Sequence, residues 1–298
     1  MQIVRTPGSA RAIARTLHRP VGLVPTMGAL HAGHVSLVER ARSENASVVA
    51  SIFVNPLQFG PNEDFDKYPR AFERDVEMLA DAGVDLLYAP AVERMYRPDF
   101  ASSIDVGPVA SSFEGARRPG HFAGVATVVA KLLHAIEPTS LYLGQKDVQQ
   151  TAVLRAMLRD LDMPTNVVVA PTLRERDGLA LSSRNVYLDI VQRAAAPSLY
   201  RALSSVSRAI ERGEPDAARI LATGRALLAP PLVWDYLAIV DPLTFEELDP
   251  VRRPAVAIGV ARAGSVRLLD NVTIASANGV DPILTPPHDL PRAARIRH

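Results

Sequence analysis

Short apolar runs alternate with stretches of helical periodicity along the first two thirds of the chain. Residues 21–24 form an apolar run bounded by prolines, and residues 47–54 are almost continuously apolar and β-branched, which predicts two buried strands. From residue 34 onward, apolar positions between these runs recur at helical spacing. This pattern predicts a strand-helix-strand unit in a parallel sheet, which places ligands at the carboxyl ends of its strands.

The same alternation continues to about residue 170. The pattern predicts a helix within 2–17, a helix over 71–82, a strand over 84–88, a weak strand over 104–109, a buried helix from 121 to at least 133, a strand over 140–144, a helix over 145–161 and a strand over 166–169. The predicted fold class is therefore α/β, with a Rossmann-like parallel sheet.

The pattern changes after residue 185. It predicts a long helix over 190–211, a break at 213–215, a second helix capped by Asp216 and ending near 229, and strands over 233–240, 256–261 and 266–269. We expect a Rossmann-like domain over 1–185 and a smaller α+β lid domain over 186–274. Residues 275–298 are rich in proline and arginine without periodicity, which predicts a disordered tail.

Composition and charge narrow the possible functions. The chain has 298 residues, a formal net charge of +1 and no cysteine. The charge balance argues against a nucleic-acid partner, and the absence of cysteine excludes disulfides and thioester intermediates. The sequence shows neither a signal-peptide pattern nor an apolar run of membrane-spanning length, so we expect a cytoplasmic protein without a membrane partner.

The turn between the first predicted strand and helix is the strongest candidate site. Gly28 and Gly33 permit a close backbone approach to a ligand, and a helix N-terminus attracts phosphate. His31 and His34 could donate hydrogen bonds to phosphate oxygens during displacement at phosphorus. Two alternatives remain at this point: a zinc site, for which the chain lacks the usual further ligands, and ordinary loop histidines.

Polar residues follow other strands in the same way. Asn55 and Gln58 come after the strand at 47–54, and we expect them to face the crevice beside the two histidines. Lys146 follows the strand at 140–144 and could meet a phosphate, whereas Asp147 could simply cap the next helix. The hydroxyls and guanidinium of residues 182–184 could form a second phosphate-binding element.

Jointly, these motifs make the chain resemble a known family. The His31-Ala32-Gly33-His34 sequence is similar to the His-x-Gly-His signature of the nucleotidyltransferase superfamily. The chain as a whole resembles the pantoate:β-alanine ligases, the pantothenate synthetase family. The motifs that carry this resemblance are residues 25–34, 53–59, 121–125, 144–147, 182–185 and 267–271.

The resemblance implies a function that the residues alone do not fix. It implies ATP-dependent condensation of pantoate with β-alanine through an enzyme-bound pantoyl adenylate, giving pantothenate, a precursor of coenzyme A. It also implies Mg²⁺ with ATP, and a homodimer. Adenylate chemistry needs no protein nucleophile, which agrees with the absence of cysteine.

Roles for individual residues are also implied by this resemblance. The implied catalytic residues are His31, His34, Lys146, Ser182, Ser183 and Arg184. The implied pantoate-binding residues are Gln58, Gln150, Val125, Val129 and Tyr68. The implied ATP-binding residues are Pro25, Thr26, Met27, Gly28, His31, His34, Gly144, Lys146, Asp147, Leu173, Leu181, Ser182, Ser183 and Arg184. From the residues alone, Val125 and Val129 could equally be ordinary core.

Three positions depart from the family pattern, and two rival functions stay open. Leu181 replaces a methionine of similar volume, while Gln145 and Val148 replace a glutamate and an aromatic residue beside the ribose. One rival is another nucleotidyltransferase or a fragment of an aminoacyl-tRNA synthetase, which would need a tRNA-binding surface. The other is an adenine-nucleotide sensor that has lost turnover.

Overall fold

The computed structural model describes residues 1–61, 63 and 65–284. Its strands are β1 Gln2–Val4, β2 Val21–Thr26, β3 Ser47–Ile52, β4 Leu86–Tyr88, β5 Ser140–Gly144, β6 Asn166–Ala170, β7 Val233–Val240, β8 Ala255–Ala263 and β9 Val266–Ile274. Its α-helices are α1 Pro7–Ala14, α2 Ala32–Glu44, α3 Phe72–Asp81, α4 Val92–Met95, α5 Glu114–Arg117, α6 His121–Ile136, α7 Val148–Asp160, α8 Ile190–Ala195, α9 Ser198–Glu211 and α10 Ala217–Arg225.

The chain divides into two units. The first contains residues 1–143 and 149–170, and the second contains residues 144–148 and the chain from 171 onward. The predicted domain boundary at 185/186 stays a prediction. Of the predicted tail, residues 275–284 form turns in which Ile283 is 1% exposed, and residues 285–298 lie outside the described residues.

The first unit is built on a six-stranded sheet in the order β1-β4-β3-β2-β5-β6. The pairs β1–β4, β4–β3, β3–β2 and β2–β5 are parallel. The chain moves outward from β2 through β3 to β4 and then returns to the other side of β2, so the strand order reverses between β2 and β5. Crevices at such a reversal are the usual ligand sites of α/β sheets, and the turn after β2 lies there.

Helix α6 confirms the prediction of a buried helix, because thirteen of its sixteen residues are buried. Gly124 on this helix packs against the backbone after β3. A Cβ at Gly124 would lie 2.2 Å from the Leu57 carbonyl oxygen, a distance that no side chain tolerates. Glycine at this position therefore lets the turn that carries Gln58 rest directly on α6.

Two predicted elements differ from the structure. Residues 104–109 are not a strand, since Gly107 takes a φ of +72° and begins a 3₁₀ turn, Gly107–Ala110. Pro108 in this turn also lacks the N–H that a sheet ladder needs. The long helix predicted over 190–211 is divided into α8 and α9. The division falls at Pro197, whose backbone nitrogen has no hydrogen to donate to a helical hydrogen bond.

The second unit contains a three-stranded antiparallel sheet in the order β7-β8-β9. Its core is formed by aliphatic residues of α9, α10 and the three strands, among them Leu199, Leu203, Val206 and Ile220. The predicted cap is confirmed, because the Asp216 carboxylate accepts a hydrogen bond from the Arg219 N–H at 3.0 Å. This small sheet and its helices confirm the predicted α+β character of the C-terminal region.

Candidate active site

The turn between β2 and α2 has a left-handed backbone at two successive residues. Gly28 has a φ of +81° and Ala29 a φ of +52°. The Asp75 carboxylate of α3 holds this conformation, accepting hydrogen bonds from the N–H of Ala29 at 2.7 Å and of Leu30 at 2.9 Å. Asp75 is 1% exposed, so the turn is fixed by a buried carboxylate before any ligand arrives.

The two histidines of this turn form the start of α2. His31 is the N-cap residue, and its Nδ1 accepts a hydrogen bond from the Gly33 N–H at 3.1 Å. The Nδ1 of His34 accepts from the His31 N–H at 3.4 Å, and the two ring centroids are 4.2 Å apart. Because Nδ1 is the acceptor in both rings, Nε2 carries the hydrogen of each neutral imidazole. The histidines therefore offer N–H donors at a helix N-terminus, the environment that a phosphate prefers.

Gln58 lies close to the same turn. Its Nε2 donates to the Met27 sulfur at 3.0 Å, and its Oε1 accepts from Asn55 Nδ2 at 3.0 Å. The structure therefore brings Gln58 to Met27 in the turn after β2. That Asn55 and Gln58 face a crevice beside the two histidines stays a prediction. Sulfur is a weak acceptor, so a substrate oxygen would be a stronger partner for this amide.

A partly buried ionic cluster holds the backbone of Gln58. Its carbonyl oxygen accepts from His121 Nδ1 at 2.8 Å and from the Arg118 guanidinium at 3.2 Å. Arg118 also donates to both carboxylate oxygens of Glu63, at 2.7 and 2.6 Å. Because the Nδ1–H of His121 faces a carbonyl, its Nε2 is the acceptor for Arg118 at 3.0 Å.

We predict a pH-dependent stability from His121. Burial, with the Arg118 charge, lowers the pKa of His121 to about 4. In the unfolded chain the pKa is about 6.5, so between these values the unfolded state binds the extra proton and the free energy of unfolding falls as the pH falls. Between pH 6 and pH 4.5, the free energy of unfolding measured by urea denaturation is expected to fall by about 2 kcal/mol more in the wild type than in His121→Gln. Equal pH slopes for the two proteins would contradict this assignment.

In the second unit, β9 holds the turn that carries Lys146. Residues Gln145–Asp147 form a 3₁₀ turn, and Asn271 Nδ2 donates to the carbonyl oxygens of Gln145 and Lys146, each at 2.9 Å. The Lys146 ammonium lies 3.6 Å from the carboxylate of Asp147. Asn271 is 1% exposed, so the backbone of this turn is fixed from inside the unit.

Asp270 and Arg174 form a buried ion pair beside that turn. Arg174 donates to both oxygens of the Asp270 carboxylate, at 2.6 and 2.9 Å, and its guanidinium stacks 3.7 Å from the ring centre of Tyr200. The Asp270 carboxylate also accepts from the Asn271 N–H at 2.8 Å. Burial raises the pKa of the Asp270 carboxyl, and Arg174 opposes that rise.

The other predicted site residues fall into three groups. Val125, Val129 and Tyr68 are buried, and Thr26 uses its hydroxyl within the first unit, donating to the Ser51 carbonyl at 2.6 Å. Ser182 is the N-cap of the 3₁₀ turn Ser183–Tyr187, to which Arg184 belongs. Partly exposed or exposed positions are Pro25, Gly144, Asp147, Gln150, Leu173 and Leu181.

Some residues that build the site were not predicted from the sequence. Asp75 clamps the turn before α2, and Arg118 and His121 anchor Gln58. Asp75 had a usable signal: an acidic side chain on the apolar face of an amphipathic helix, one turn before the buried Leu79. Arg118 lies in an irregular stretch that offers no periodicity to interpret.

The described part of the chain offers no obvious metal centre. Among residues 1–61, 63 and 65–284, no three or more His, Asp and Glu side chains cluster in a way that could hold a metal ion. Within the same ranges, no helix is both long and apolar enough to cross a membrane.

A parallel α/β sheet whose glycine-containing turn presents two histidines at a helix start agrees with the resemblance of residues 31–34 to the nucleotidyltransferase signature. A pantoate-beta-alanine ligase family model matches residues 2–273. The pantothenate synthetase of Herpetosiphon aurantiacus is 52% identical over 277 residues, covering 92% of this chain and 100% of that protein. That of Koribacter versatilis is 49% identical over 282 residues, covering 93% and 97%.

Solved structures agree with these relatives. Pantothenate synthetase from Thermus thermophilus has a TM-score of 0.87 at 51% identity, covering 92% of this chain and 100% of that one. Pantoate-beta-alanine ligase from Francisella tularensis, complexed with β-γ ATP and β-alanine, has a TM-score of 0.74 at 34% identity, covering 92% and 97%. The chain belongs to the pantoate-β-alanine ligase family, and it is an enzyme that joins pantoate to β-alanine to give pantothenate.

Proposed function

We propose that this ligase uses ATP in two steps, with the turn after β2 as the phosphate site. In the first step, a carboxylate oxygen of pantoate attacks the α-phosphorus of ATP, and the bond to the β-phosphate breaks to release pyrophosphate. In the second step, the neutral amine of β-alanine attacks the acyl carbon of the pantoyl adenylate, AMP leaves and the nitrogen loses a proton. The atoms and charges of both steps balance, and neither step needs a covalent bond to the protein.

The observation that carries the proposal is the pair of Nε2–H donors at the start of α2. Charge grows on the phosphate oxygens during displacement, and preorganised donors stabilise that charge without reorganisation. His31 and His34 have their Nδ1 atoms engaged by backbone N–H groups, which fixes the two rings before ATP binds. Positioning of the two reactants contributes several further kcal/mol, on the order of those found for well-oriented reactions.

Further residue roles belong to the same proposal. Gln58 and Gln150 would bind the oxygens of pantoate, with Val125, Val129 and Tyr68 beside its apolar part. Lys146, Ser182, Ser183 and Arg184 would bind phosphates, and Gly144 and Asp147 the ribose. The remaining ATP contacts would come from Pro25, Thr26, Met27, Gly28, Leu173 and Leu181.

Mg²⁺, the homodimer and the cytoplasmic location are also proposals, and they rest on the family resemblance. Mg²⁺ would arrive bound to the phosphates of ATP. A mass measurement in solution tests the homodimer directly.

Isotope exchange tests the first step alone. The protein is incubated with ATP, Mg²⁺ and labelled pyrophosphate, with and without pantoate and with no β-alanine present. We expect label to enter ATP only when pantoate is added, because only the adenylate can return pyrophosphate to ATP. Normal ATP binding without any exchange would contradict the two-step reaction and favour the sensor interpretation.

A further inference from the structure

Tyr96 ends in a buried hydroxyl that is bonded to Asn55, the residue that contacts Gln58. Tyr96 directly follows α4, and its ring packs against two other aromatic rings, with its centre 5.9 Å from that of Phe53 and 4.9 Å from that of Phe100. The residue is 8% exposed, and its hydroxyl lies 2.8 Å from Asn55 Oδ1. Burial raises the pKa of the Tyr96 phenol, so the hydroxyl keeps its proton at any physiological pH.

The orientation of the Asn55 amide is fixed by backbone groups. Its Oδ1 accepts from the Leu57 N–H at 3.3 Å, and a backbone N–H can only donate. Its Nδ2 donates to the Gly124 carbonyl at 3.1 Å, and a carbonyl can only accept. If the amide were flipped, its NH₂ group would face the Leu57 N–H and its oxygen would face the Gly124 carbonyl, and neither pair can form a hydrogen bond. Tyr96 is therefore the donor in its hydrogen bond with Asn55 Oδ1.

The orientation of Gln58 follows from that of Asn55. The second hydrogen of Asn55 Nδ2 points to Gln58, so the atom of Gln58 that faces it, at 3.0 Å, must be the acceptor Oε1. The other end of the amide, Nε2, then lies beside the Met27 sulfur at 3.0 Å. Gln58 can therefore meet a substrate only as a donor, through an N–H group.

We propose that Tyr96 is a positioning residue. Its hydroxyl makes the shortest of the hydrogen bonds that hold the Asn55 side chain, and Asn55 in turn keeps the Gln58 amide in place to donate to an oxygen of the acid substrate. This inference rests on the proposed role of Gln58 in pantoate binding. The substrate class it selects is a small acid that carries an acceptor oxygen, from its carboxylate or a hydroxyl, at the Gln58 position. Without the Tyr96 bond, the Asn55 side chain is held less firmly, and the Gln58 amide that it supports is placed less accurately for such an acceptor.

The test compares two variants that each remove one buried tyrosine hydroxyl. Tyr96→Phe breaks the bond to Asn55. The matched control is Tyr142→Phe, because the Tyr142 hydroxyl on β5 bonds to Glu44 at 2.8 Å and Asn45 at 2.6 Å, both at the C-terminal end of α2. For each protein, the KM of pantoate, the KM of ATP and kcat are measured, together with the melting temperature.

Tyr96→Phe is expected to raise the KM of pantoate about 5- to 10-fold and to leave the KM of ATP unchanged, since one neutral hydrogen bond is lost from the pantoate side alone. Tyr142→Phe is expected to lower the melting temperature without changing either KM. A structural role for Tyr96 would lower the melting temperature but leave the KM of pantoate at the wild-type value.

Three results would overturn the inference: an unchanged KM of pantoate in Tyr96→Phe, an equal rise in the KM of ATP, or the same rise in Tyr142→Phe. Failure of the proposed function gives a different result. In that case the wild type itself would show no pantoate-dependent pyrophosphate exchange, whatever the kinetics of the variants.

Discussion

Replacement of His34 by Asn is expected to reduce kcat about 100- to 1,000-fold, the cost of removing one preorganised donor from a developing negative charge. The Asn side chain is short, and its oxygen can take the place of Nδ1 and accept from the His31 N–H. The cap of α2 is therefore retained, and the Nε2–H donor is lost. The free energy of unfolding should remain close to that of the wild type, so the loss of turnover reports on chemistry alone.

Two further variants serve as controls for this measurement. His34→Gln reaches the Nε2 position with an amide N–H but cannot reproduce the cap, so it should lose stability and retain more turnover than His34→Asn. His18→Ala removes an exposed histidine and should leave kcat unchanged. If His34→Asn kept wild-type turnover, the electrostatic role of the histidine would be wrong. A protein that binds ATP and turns over nothing even as wild type would instead be a sensor.

Replacement of Asp270 by Ala is expected to lower the free energy of unfolding by about 3–5 kcal/mol. The carboxylate side chain is 3% exposed and is the bidentate partner of Arg174, whose own side chain is 17% exposed. Removing Asp270 leaves a buried guanidinium without its counter-charge, and desolvation of that cation is not compensated. The loss is measured by urea denaturation at neutral pH.

The matched control for Asp270 is an exposed ion pair in the same unit. Arg219 lies 3.3 Å from Glu214 and its side chain is 72% exposed. Arg219→Ala should cost less than about 1 kcal/mol, because water screens this pair. Equal losses in the two variants would contradict the claim that burial makes the Asp270 pair important. Asp270→Ala should also slow the reaction, since Asn271, which holds the Lys146 turn, is hydrogen-bonded to the same carboxylate.

Much of the fold could be predicted because, in most elements, the spacing of the apolar residues agrees with the turn-forming residues at the element's ends. The strand at Ser140–Gly144 is short, apolar and flanked by loop residues, and its predicted bounds are confirmed. The prediction of a weak strand over 104–109 was wrong, because the positive φ of Gly107 and the missing N–H of Pro108 oppose a strand despite the apolar residues around them. Strand β1, Gln2–Val4, was missed because three residues carry no measurable alternation and are ordered only by pairing with β4.

The candidate site could be predicted only where its residues are consecutive in sequence. His31 and His34 lie within one turn, so their spacing reveals them. Asp75 reaches that turn from a helix more than forty residues away, and Tyr96 acts through Asn55 across a similar separation. Contacts of this kind depend on tertiary packing, and no local pattern records them.

The central claim is that pantoate attacks the α-phosphorus of ATP, and an oxygen label tests it most directly. Pantoate labelled with ¹⁸O at both carboxylate oxygens is incubated with the enzyme, ATP, Mg²⁺ and β-alanine, and the products are analysed by mass spectrometry. The account predicts one ¹⁸O in each AMP and one in the amide carbonyl of each pantothenate. Unlabelled AMP, or ADP formed together with labelled phosphate, would contradict it.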